Sequence, residues 1–146
     1  MSEANSPRRP NVWVVALAAI VLVGLGAWLL VPWGTNAAAP ELEGKTWQLV
    51  AINGQPAVPN SHATVKFESG KVSGNSSVNS FGGTYRASGG TLTTSDLMST
   101  LMASADPALN QQETTFATIL QGESTYAVSG NQLTISSPRG TMTFTA

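Results

Sequence analysis

The chain reads as a mainly β domain of α+β type, a small curved antiparallel sheet or open barrel with one or two packed helices, preceded by one transmembrane helix. Three observations predict this. From residue 44 onward the apolar residues fall mostly in short alternating runs, separated by Asn-Gly, Ser-Gly and Gly-Gly pairs, which is the pattern of strands joined by tight hairpins. One stretch, Asp106 to Gly122, switches to helical spacing. Near the N-terminus, Val12 to Val31 is an unbroken apolar run without a charge.

Taken in order, residues 1–11 form a short polar tail that carries Arg8 and Arg9. Residues 12–33 are read as a membrane span, because about 20 helical residues cover roughly 30 Å, the thickness of a bilayer's hydrocarbon core. Trp13, Trp28 and Trp33 lie near its ends, where amphipathic rings sit at membrane interfaces. Pro32 and Gly34 end the helix. Arg8 and Arg9 precede the span and Lys45 is the first positive charge after it. The positive-inside bias therefore leaves the N-terminus cytoplasmic and the rest of a single-pass chain outside. A second reading is a cleaved secretory signal, with Ala37-Ala38-Ala39 as the cleavage site. Both readings place the folded part outside the cytoplasm. Residues 34–43 read as a linker and 44–146 as the domain.

Within the domain, Lys45 to Ile52 has the β-branched and aromatic content of a strand and ends at an Asn53-Gly54 turn. Pro56 to Ser61 reads as loop. Ala63 to Glu68 and Lys71 to Ser73 form a hairpin about Ser69-Gly70. Gly74 to Gly83, rich in Gly, Ser and Asn, reads as a structured loop, followed by short strands at Thr84–Ala87 and Thr91–Thr93. The helix is well marked. Asp106 is placed to cap it, Pro107 occupies its first position and Gly122 stops it. Leu109, Phe116, Ile119 and Leu120 form its apolar stripe. Three more strand segments follow, carrying Tyr126 and Val128, Leu133 and Ile135, and Met142 and Phe144. The count is about seven strands.

Composition excludes several function classes. From Glu41 onward the basic residues are Lys45, Lys66, Lys71, Arg86 and Arg139. The acids are Glu41, Glu43, Glu68, Asp96, Asp106, Glu113 and Glu123. A slightly acidic domain without a basic stripe is no phosphate-backbone binder, so nucleic acid is not an expected partner. Cysteine is absent, which removes disulfides, thiolate chemistry and thiolate-bound zinc.

Three stretches in order then resemble the META domain family of HslJ-like heat-shock proteins. The first is Trp47-Gln48-Leu49 with Asn53-Gly54, similar to an opening W-x-L and N-G turn. The second is Val72-Ser73-Gly74 through Asn79, Phe81, Gly83 and Tyr85, similar to G-x-x-G-C-N-x-F-x-G-x-Y. The third is Thr100-Leu101-Met102-Ala103-Ser104 with Glu113 and Phe116, similar to T-x-M-A-C followed by E-x-x-F. The resemblance covers roughly residues 41–146. It implies a small β-rich domain, often exported or membrane-attached, associated with stress tolerance, drug resistance or motility, with no catalytic activity assigned to the family as a whole. Two family cysteine positions are occupied here by Val78 and Ser104.

Each candidate site has a bland reading beside the functional one. Asn79, Phe81 and Tyr85 form the most distinctive cluster, read either as a partner or ligand surface or as turn and core residues. His62 is the only histidine and lies in a polar loop, where it lacks the partners that acid–base or metal chemistry requires. Asp96, Asp106 and Glu113 lie near the helix. Asp106 has a capping role and Glu113 reads as the helix's polar side, which leaves no acid pair for hydrolysis. Met98 and Met102 have the spacing to share a helical turn, as core filling or as thioether ligands. No nucleophile elbow or phosphate loop occurs. The expectation is a domain with no catalytic residues, no cofactor and no metal. It would be anchored in the membrane and would act on a cell-envelope protein partner or, alternatively, bind a small ligand on the curved sheet face.

Overall fold

A computed structural model describes residues 39–146. The expected tail (1–11) and membrane span (12–33) lie outside the described residues, among which no helix is long and apolar enough to cross a membrane. The elements run β1 (Thr46–Ile52), β2 (Gln55–Pro56), β3 (Thr64–Glu68), β4 (Lys71–Asn75), β5 (Ser80–Ser88), β6 (Thr91–Ser99), α1 (Pro107–Leu120), β7 (Gly122–Ser129), β8 (Gln132–Ser137) and β9 (Gly140–Thr145).

Apart from β2, which is a short arm on β1, each strand pairs antiparallel with its neighbours along the chain. The last strand returns to the first, with Leu49 opposite Phe144 and Ile52 opposite Met142. The sheet is therefore a closed eight-stranded up-and-down barrel rather than an open one. Closure satisfies both outer edges, the usual solution for an all-antiparallel sheet. The expected turns do their part. Asn53-Gly54, Ser69-Gly70 and Gly89-Gly90 all have positive φ at both positions, the geometry that matches hairpin twist.

The stretch Gly74–Gly83, expected as a loop, is mostly strand, and the short segments after it belong to nine-residue strands. Small residues here mark close approach, not irregular chain. A Cβ on Gly74 would stand 2.0 Å from the Thr64 carbonyl oxygen, and one on Gly83 would stand 2.7 Å from that of Ser95. Glycine is required where backbones approach this closely.

Barrel walls need plugs. At one end α1 lays Phe116, Ile119 and Leu120 onto the barrel core, where Phe116 meets Phe144 edge-on at 6.0 Å. Leu109, expected in this stripe, is only half-buried; Gln112 is buried in its place. At the other end lies the segment read from sequence as linker. Ala39 and Leu42 are buried, the Trp47 indole N–H donates to the Leu42 carbonyl at 3.0 Å, and Glu43 bridges to Phe67. An apolar residue beside an open barrel end gains by covering it, so the fold begins by Ala39 and not at 44.

Leu42→Ala should cost about 2–5 kcal/mol, the usual range for a buried leucine. Leu101→Ala, at a position 96 % exposed, should change stability by less than about 0.5 kcal/mol. Urea unfolding of both variants checks the contrast.

Candidate functional site

At the helix end of the barrel, the sequence between β4 and β5 and the sequence after β6 both approach α1. Asp106 caps that helix by accepting from the Ala108 amide at 2.9 Å, with Pro107 next. Helix propensity in the segment is poor, and Thr114, Thr115 and Thr118 each donate to a carbonyl one turn back. Packing and side-chain fastening therefore hold the helix, and three residues provide most of the fastening.

Glu113 does not lie on a solvated polar face. Its carboxylate accepts from the Ser76 hydroxyl at 3.1 Å, the Asn79 amide at 2.6 Å and the Val78 backbone N–H at 3.1 Å. Asn79, 4 % exposed, uses both ends of its side-chain amide. Its amide also donates to the Met102 carbonyl at 2.9 Å, and its oxygen accepts from the Thr100 hydroxyl at 2.8 Å and the Met102 N–H at 2.7 Å. Gln112 accepts from the Val58 N–H at 2.6 Å and donates to Ser77 at 2.7 Å. Among the described residues no buried side-chain nitrogen or oxygen lacks a partner. Such a network is stiff, because each lost bond would leave a desolvated polar group.

The C-terminal end of α1 is fastened from outside. Arg139 donates from Nε to the Thr118 carbonyl at 2.6 Å and from Nη2 to that of Gln121. A guanidinium suits the negative end of a helix dipole. The buried Thr94 hydroxyl donates to the Leu120 carbonyl at 2.5 Å.

The three residues singled out from sequence do not form one surface. Asn79 is the buried hub just described. Tyr85 is buried near the other end of the barrel, edge-on to Phe67 at 4.9 Å, and its hydroxyl donates to Glu43 at 2.6 Å. Burial first, and then the Glu43 carboxylate, push its ionisation well above the ordinary tyrosine range. Burial and Glu41 push Tyr126 the same way. Only Phe81 borders open space. It stands 5.6 Å from Phe116 and lines a cleft of about 160 Å³ between β6 and α1, together with Leu97, Met98, Ala117 and Leu120.

The remaining candidates are dispersed. His62 is exposed in the loop before β3. Asp96 is exposed at a bulge in β6, with φ of 54°. Met98 and Met102 do not share a helical turn: Met98 is in β6 and Met102 in the following loop. Both are exposed, at 78 % and 62 %, and with Leu101 they are the most exposed large apolar side chains among the described residues. Sequence reading missed Leu101, although Leu97-Met98 and Leu101-Met102 break the alternation of a half-buried strand. Among the described residues no three His, Asp or Glu side chains gather as a metal site. The two positions lacking the family cysteines sit in tethered loops. Val78 bonds to Glu113 through its N–H, and Ser104 exchanges two bonds with the Asn110 side chain, each 2.8 Å.

Glu113→Gln places an amide group against donors, leaving the Val78 N–H or a neighbouring donor unpaired. It should cost about 1–3 kcal/mol and speed hydrogen exchange at Val78. A separate expectation concerns alkaline pH. Folded Tyr85 stays protonated where unfolded tyrosines ionise, so the native state holds more protons and stability falls as pH rises above about 10. Tyr85→Phe should flatten that alkaline decline, measured by urea unfolding across the pH range.

A model of the META domain matches residues 40–146. The heat shock protein HslJ of Escherichia coli strain K12 is 29 % identical over 110 residues, covering 74 % of this chain and 79 % of that protein. A structure solved by NMR superimposes with a TM-score of 0.64 at 29 % identity, over 73 % of this chain and 92 % of the other. A second NMR structure, of a Burkholderia xenovorans protein, matches with a TM-score of 0.59 at 21 % identity, over 99 % and 94 %; at that identity the likeness is one of fold. The Thr100–Met102 stretch and Glu113 converge on Asn79, and the family match runs through the whole described barrel: the chain belongs to the META domain family.

Proposed function

We propose that this is a membrane-anchored, extracytoplasmic META domain that acts without catalysis, by holding another protein of the cell envelope. The observation that carries the reading is the exposure of Met98 at the end of β6 and of Leu101 and Met102 on the following loop, which Asn79 fastens at Thr100 and Met102. Exposed side chains of this kind usually mark contact sites, and Met adapts well to a partner's contours. A stiff loop presents them with little ordering cost on binding.

The anchor reading rests on the apolar run at residues 12–31 and on Arg8 and Arg9 before it. Ala39 and Leu42 plug the barrel end opposite α1. Two of the three candidate carboxylates are engaged in structure, Glu113 in the loop network and Asp106 as a helix cap. A role in stress tolerance accords with the likeness to a protein named as a heat shock protein.

A second reading, a small-ligand module, is favoured by the cleft beside Phe81. Its volume of about 160 Å³ is below the roughly 300 Å³ at which ligand pockets usually begin. It would hold a benzene-sized group, not a drug-sized one.

With a photoreactive residue replacing Leu101 in the full-length chain, irradiation of intact cells should give one dominant crosslinked species in the membrane fraction. The same residue at Lys71, on a hairpin at the opposite barrel end, should give none. Equal labelling from both positions, or no membrane-associated species, would sink the reading.

A further inference from the structure

Closure of the barrel is incomplete along one strand. β6 pairs with β5 from Thr91 to Ser99, but with β7 only from Thr91 to Thr94. The register of β5 and β6 shifts between Gly82 and Thr84, opposite Asp96 with its positive φ, and such a bulge bends a strand away from its neighbour. On the far side the chain is committed to α1 until Gly122. Among the described residues no strand pairs the second edge of Ser95–Ser99.

A free strand edge is a template for another strand, and natural proteins guard it with lysine, proline, charges or bulges. Ser95-Asp96-Leu97-Met98-Ser99 has no lysine or proline, and its guard is the bulge at Asp96. Beside this edge lies the cleft, with Phe81, Leu97, Phe116 and Leu120 in its lining and Ala117 and Gln121 on the helix side. Its volume of about 160 Å³ suits one leucine, methionine or phenylalanine side chain, since a cavity of about 150 Å³ holds benzene. Of the charges nearby, Glu113 in the lining and Asp96 on the strand are acidic, and the Arg139 guanidinium is engaged by the Thr118 and Gln121 carbonyls.

We propose that the Ser95–Ser99 edge of β6 is a docking site for an extended, non-acidic peptide segment, which adds as a strand and seats one apolar side chain in the cleft between β6 and α1. Strand addition draws affinity from main-chain hydrogen bonds and specificity from the side-chain pocket. Met98, 78 % exposed on the same edge, covers the alternate side chain of the guest. The proposal rests on the interaction reading above and names the chemistry of the partner.

The test uses the full-length chain in detergent micelles. The probe is a fluorescein-labelled pool of amidated heptapeptides, Lys at both ends and Thr alternating with Leu, Val, Ile, Met or Phe between. The pool should bind saturably, slow hydrogen exchange of amides within Ser95–Ser99, and weaken by about tenfold or more with Ala117→Glu, a change at an exposed position on the cleft wall. The same pool with N-methylated backbone amides should not bind. Equal binding of the N-methylated pool would show an apolar-ligand cleft without strand addition and overturn the proposal, as would binding indifferent to Ala117→Glu. Self-association of the chain that Ala117→Glu abolishes, with no peptide bound, would make a second copy the occupant instead. Absence of any binding while the Leu101 crosslink persists would overturn the strand site and leave the interaction reading standing; loss of both would remove both.

Discussion

The carboxylate of Glu113 and the amide of Asn79 meet at 2.6 Å, and the helix end of the molecule is organised about that contact. A helix inserted between β6 and β7 must be returned to the barrel, and its sequence, rich in Thr, Gln and Asn, supplies little intrinsic preference to stay folded. Phe116, Ile119 and Leu120 provide the burial. Burial alone is non-directional and would not set the helix's rotation or the loops beside it. The polar network does, because nearly every bond in it is to backbone or to a buried partner and none can be lost without cost.

The same contact decides what this end can present. The loop after β6 carries Leu101 and Met102 outward while Asn79 holds its backbone inward. The helix is held far enough from β6 to leave a cleft and near enough for Thr94 to bond its last turn. At the opposite end, Leu42, Trp47, Phe67 and Tyr85 form a buried plug, and Glu41 and Glu43 are engaged by Tyr126 and Tyr85. The two ends thus differ. One is closed by the first described residues, and the other exposes apolar side chains and an unpaired strand edge.

Two positions where the family motif carries cysteine are here Val78 and Ser104, and both loops are fastened by hydrogen bonds from helix side chains, Glu113 and Asn110. A covalent bridge acts largely on the unfolded chain. Charged and amide hydrogen bonds act on the native state and require a packed helix to make them.

Much of the fold was legible in the amino-acid pattern. Hairpin turns, alternating runs and the cap at Asp106 are local physics, since each depends on backbone preferences of a few adjacent residues. The span at residues 12–33 rests on the same kind of local signal and lies outside the residues that the structure describes. What the pattern could not reveal depends on residues far apart in the chain. Closure of the barrel is the pairing of β1 with β9, about a hundred residues away. The strand character of Gly74–Gly83 comes from neighbouring backbones at Thr64 and Ser95 that leave no room for a Cβ, so glycines that locally signal a loop are obligatory in a sheet. Asn79 and Glu113 are 34 positions apart. Locally one is a turn residue and the other a solvated helix face, and only folding makes each the partner the other needs. The free edge of Ser95–Ser99 is likewise invisible in its own residues, because an edge is defined by which strand fails to arrive beside it.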